Sequence, residues 1–151
     1  MRRFQFRLER VLQWQLEVCQ VKENDVRRSL SAVHGTEARI AQLEADSVAA
    51  EQDVLSQRAL RAADLAALAQ FRLRVAVEQK SLAALRAAQL RDLERARESL
   101  VTERRQLRLL EKLRGRALCA HAAAVDREVE ELAAEAYASR WVSEIAANER
   151  H

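Results

Sequence analysis

The chain has 151 residues, no proline, two glycines, 4% aromatic residues and a formal net charge of +3. A sheet protein would need turn residues that this chain lacks, and much of its 49% apolar fraction is alanine, which fills little volume. Composition therefore excludes a β fold and a compact core, and favours one all-α domain over residues 1–151, because Ala, Leu, Glu, Arg and Gln lose little rotamer freedom in a helix.

Residues 1–7 form a basic lead-in, with Phe4 and Phe6 too close in sequence to share a helix face. A first long helix is expected over about 8–55. Its apolar seam is read through Leu12, Leu16, Cys19, Glu23, Val26, Leu30, Val33, Glu37 and Ile40, in strictly alternating steps of four and three. That seven-residue repeat marks a helix wound against another helix. Glu23 and Glu37 on the seam either set register or mark a stripe that drifts, letting them reach solvent. Gly35 keeps step with its neighbours and is read as helix interior. Between Ile40 and Leu43 two three-residue steps fall together, which predicts locally altered winding.

No glycine or proline marks a turn, so the turn follows from symmetry. A second seam, through Leu82, Leu85, Gln89, Leu93, Ala96, Leu100, Glu103, Leu107, Leu110, Arg114 and Ala117, matches the first in length. Antiparallel arms then meet near residue 62, with a turn at about 56–64, Asp64 as N-cap and a second helix over about 65–147. The fold class expected is a long antiparallel two-helix coiled-coil hairpin, monomeric, with its C-terminal helix overhanging. In that register Leu12 lies near Leu110, Leu30 near Leu93 and Ile40 near Leu82. A single unbroken helix in an intermolecular coil is the rival. Residues 118–147, rich in alanine, would project alone and suggest a docking segment.

Charge is unevenly placed. Residues 103–116 hold six bases (Arg104, Arg105, Arg108, Lys112, Arg114, Arg116) against Glu103 and Glu111, whereas residues 126–151 hold seven acids against three bases. Such a basic stretch suits an acidic protein surface as well as phosphate. Acids interleave it and no aromatic residues stand among the bases to stack on nucleobases, so nucleic acid is not the expected partner.

No catalytic or ligand pattern is present: no glycine-rich phosphate loop, no nucleophile elbow, and His34, His121 and His151 are scattered. Cys19 and Cys119 lack metal-ligand or redox spacing. No catalytic, cofactor-binding or metal residues are expected, and no enzyme activity. No run approaches a membrane span and no signal-peptide core is visible, so a cytoplasmic, reduced setting without membrane insertion is expected.

The opening Phe4-Gln5-Phe6-Arg7-Leu8-Glu9-Arg10-Val11-Leu12 resembles the N-terminal pattern of FliJ proteins of the flagellar export apparatus. Leu110-Glu111-Lys112-Leu113-Arg114 and Glu128-Val129-Glu130-Glu131-Leu132-Ala133 resemble that family's C-terminal half. The chain departs from the family pattern at Gln15, Gly115 and Glu130. The resemblance implies a coiled-coil stalk that enters the hexameric export ATPase ring, links it to the export-gate membrane protein and engages export chaperones, peripheral to the inner membrane at the flagellar base. It places Arg7, Arg10, Arg104, Arg105, Arg108 and Lys112 in the ring, the alternative being a solvated face. It places Phe71 and Val75 at the gate, the alternative being closure of the coil's end. The stalk of a virulence-type secretion system and a generic coiled-coil scaffold are competing readings.

Overall fold

The structure, a computed structural model, describes residues 3–59 and 61–148. Arg2 of the basic lead-in, Leu60 of the expected turn, and Glu149, Arg150 and His151 of the tail lie outside the described residues. Two helices account for almost all of it: α1 is Glu9–Leu55 and α2 is Ala62–Asn148. The fold is the all-α two-helix hairpin that the periodicity predicts, without a strand among the described residues. By packing, the chain divides into two compact units, one of Met1–Glu17 with Arg105–His151, the other of Val18–Arg104.

The turn is set by local hydrogen bonds rather than by special backbone angles. At the end of α1 the Ser56 amide donates to Gln52 O at 2.9 Å and the Ser56 hydroxyl to Asp53 O at 2.9 Å, satisfying carbonyls that a helix end leaves open. α2 begins three residues earlier than expected. Asp64 is not the N-cap but stands in the first turn, where its Oδ2 accepts from the Arg61 amide at 3.3 Å, the acid half of a capping box. The amides of Asp64 and Leu65 donate back to Arg61 O at 3.0 and 3.2 Å.

Within Val18–Arg104 the helices pair antiparallel. Cys19, Val33 and Leu43 of α1 and Leu68, Val75, Leu93 and Leu100 of α2 are buried, with Val26, Leu30, Ile40 and Leu82 half-buried. Ion pairs flank this seam: Arg39–Glu78 at 2.6 Å, Arg86–Glu37 at 2.7 Å, Arg72–Glu51 at 2.8 Å and Arg104–Glu23 at 2.7 Å. All four are largely exposed, so each contributes little stability but favours this register. A polar layer lies inside the seam, where the buried Thr36 hydroxyl donates to Gln89 Oε1 at 2.7 Å.

The seam on α1 differs in phase from the one read in the sequence. Leu16 is 47% exposed, whereas Gln15 is 2% exposed. From Leu12 the covered positions run Gln15, Cys19, Lys22, Val26, Ser29, Val33, Thr36, Ile40, Leu43, Ser47, Ala50 and Val54, in unbroken steps of three and four. The apparent slip at Ile40–Leu43 disappears, because it came from counting Glu37 in place of Thr36. Glu23 and Glu37 stand beside the seam, half-buried, each held by an arginine of α2. On α2 the trace departs at Leu85 and Arg114, which are exposed.

Candidate functional site

The unit containing Met1–Glu17 and Arg105–His151 gathers the cationic residues. The lead-in does not drift free but lies along α2. The Phe4 ring meets His121 edge-on, with centroids 5.5 Å apart and planes at 70°, a favourable aromatic geometry. Glu9 accepts from Arg114 Nε at 3.1 Å, which fixes the start of α1 to α2. Phe6, Leu8, Leu113 and Ala117 line a shallow groove here. Arg3, Phe4, Arg7, Arg10 and Arg114 line a second. Leu12 is buried and Leu107 and Leu110 are half-buried, whereas Leu16 and Arg114, also expected on the seam of this unit, are exposed.

Of the six cations expected at a partner, five belong to this unit. Arg7, Arg10, Arg105, Arg108 and Lys112 are all exposed. Arg105, Arg108 and Lys112 stand three and four residues apart, on one face of α2. None of the five is joined to a carboxylate among the described residues, so their charge is available to a partner. Arg104 is different. It belongs to the other unit and binds Glu23, whose carboxyl is held below the usual range chiefly by that hydrogen bond, against an opposing effect of burial, with the charges of Arg104 and Arg27 adding to the lowering.

Beside the turn the structure places the other expected contact residues. Val75 is buried and Phe71 half-buried, both toward the seam, where Phe71 shares a groove with Ala50, Val54 and Leu68. Leu55 and Leu65 also face outward near the turn, but Leu73 and Val77, 69% and 70% exposed, stand four apart and line one shallow surface with Arg74, Glu78 and Ser81. Sequence reading passed over this pair. Its signal was there: Leu73 and Val77 are branched residues out of step with the Leu68–Phe71–Val75 seam.

No group of histidine, cysteine or acidic residues among the described residues could hold a metal ion, and no helix is long and apolar enough to cross a membrane. Comparison with models of protein families, with curated proteins and with solved structures finds no match.

Proposed function

We propose that the chain is a non-enzymatic stalk of the FliJ type in flagellar protein export, seated in the hexameric export ATPase and coupling it to the membrane export gate and to export chaperones. It would work in the cytoplasm, peripheral to the inner membrane at the flagellar base. The observation that carries this reading is the set of exposed, carboxylate-free cations Arg7, Arg10, Arg105, Arg108 and Lys112 on one compact unit. Exposed cations not joined to a carboxylate among the described residues can exchange acidic partners as ring subunits change state. With Phe71 and Val75 packed toward the seam, a gate contact near the turn falls to the neighbouring pair Leu73 and Val77.

The deciding experiment adds the purified chain to the export ATPase. Arg105→Glu, Arg108→Glu and Lys112→Glu together should abolish binding and stimulation with helicity unchanged. Full stimulation by this variant would remove the proposal. Arg104→Glu is the control for structure, since it breaks the Glu23 pair instead.

A further inference from the structure

The C-terminal part of α2 carries a second apolar stripe, off the seam. Gly115, Leu118, Ala122, Val125, Val129, Leu132 and Ala136 follow one another in strictly alternating steps of three and four. The seam residues of α2 in this unit are Leu107, Leu110, Ala117 and His121, on the adjacent face, which half-buried Val125 borders. Leu118, Val129 and Leu132 are 47%, 44% and 64% exposed, and Val125 is half-buried. A strict seven-residue repeat is needed only where a further helix lies along it.

We propose that this stripe binds the same stripe of a second copy, antiparallel, as a weak two-fold dimer. The inference is independent of the export reading. Its first support is charge. Residues 105–116 hold five bases and one acid, and residues 126–135 hold five acids and one base. With the two-fold axis between residues 123 and 124, antiparallel pairing sets Lys112 and Arg116 of each copy opposite Glu135 and Glu131 of the other, whereas parallel pairing sets like on like. The two-fold symmetry makes every such contact occur twice.

Size complementarity is the second support. With the two-fold axis passing between residues 123 and 124, Leu118 packs on Val129 of the second copy and Ala122 on Val125 of the second copy. Gly115 falls opposite Leu132 of the second copy. Within one chain Gly115 has no packing reason to be glycine: an added Cβ would meet nothing within 4 Å, and its φ is not positive. A leucine seated over it supplies that reason. The contact is short, so the dimer is weak and concentration-dependent.

Sedimentation velocity of the full chain, from low micromolar to submillimolar concentration, tests this. A reversible monomer–dimer equilibrium is expected, weakened by salt and weakened on the order of tenfold or more by Leu132→Asp or Val129→Asp. Circular dichroism should be unchanged in both variants, because the side chains are exposed. Orientation is tested in a Cys119→Ser background, where Leu118→Cys and Val129→Cys chains should form a disulfide when mixed but not separately. A chain that stays monomeric throughout, a dimer indifferent to both aspartates, or self-crosslinking of Val129→Cys alone would each overturn the proposal.

Discussion

Thr36 of α1 and Gln89 of α2 meet across the hairpin, Oγ1 to Oε1 at 2.7 Å, with Thr36 buried at 7% exposure. The Thr36 oxygen also lies 3.2 Å from Ala32 O, one turn back. On α2 the step pattern slips near this point, because the covered positions Leu82, Gln89 and Leu93 span eleven residues, four more than one repeat, which locally unwinds a coil. α1 keeps its repeat unbroken through Thr36. The polar pair thus sits where the two helices' repeats disagree, and it ties one register at that layer.

Thr36→Val should lower stability by about 1 kcal/mol, because it removes the hydroxyl while Gln89 stays half-buried. Thr36→Val combined with Gln89→Leu should recover most or all of the loss, since neither polar group then needs a partner. Urea unfolding of the two single variants and the double variant reads this coupling directly.

The phase of the seam can be checked at its sharpest point. Leu16→Lys should change stability by no more than about 0.5 kcal/mol, as at an ordinary surface site. Leu93→Ala, at a position 3% exposed, should cost about 2–4 kcal/mol. Equal losses in thermal melts would mean that Leu16 and not Gln15 faces α2.

Both glycines lie inside helices, and a Cβ at either would meet nothing within 4 Å. Gly35→Ala and Gly115→Ala should each stabilise the chain by about 0.5–1 kcal/mol, by restricting the unfolded backbone. Melting temperatures that fall instead would show that a further chain crowds the site. For Gly115 that comparison is made at low concentration, where the chain is monomeric.

Acid should break the Glu23–Arg104 pair only as pH falls below the ordinary glutamate range. The folded carboxyl is held below its ordinary value, so the pair's contribution is complete above the unfolded pKa and is lost as pH falls through the folded one. The window therefore lies below the usual glutamate range. Glu23→Gln should flatten the pH dependence of stability there and lower stability at neutral pH by the same small amount, as expected for an exposed pair. An unaltered acid profile in Glu23→Gln would assign the dependence to other carboxylates.

Much of this architecture was legible in the residues. The absence of proline, the long runs of helix formers and the three-and-four spacing specify two long helices, because they reflect local preferences and a repeat that only a partner helix satisfies. The antiparallel pairing followed from the matched lengths of the two seams. The outward placement of Leu73 and Val77 was legible only as a mismatch in step with Leu68, Phe71 and Val75, since hydrophobicity alone does not separate a residue facing a partner helix from one facing solvent.

What only the tertiary structure decided was the phase of the seam. Leu16 and Gln15 are neighbours on the same helix, and hydrophobicity alone selects the leucine. Packing selects Gln15, and with it Lys22, Ser29 and Thr36, because the covered face is wherever α2 lies. A seam built with this many polar side chains leaves two adjacent stripes nearly equal in sequence, and contact with the second helix breaks the tie.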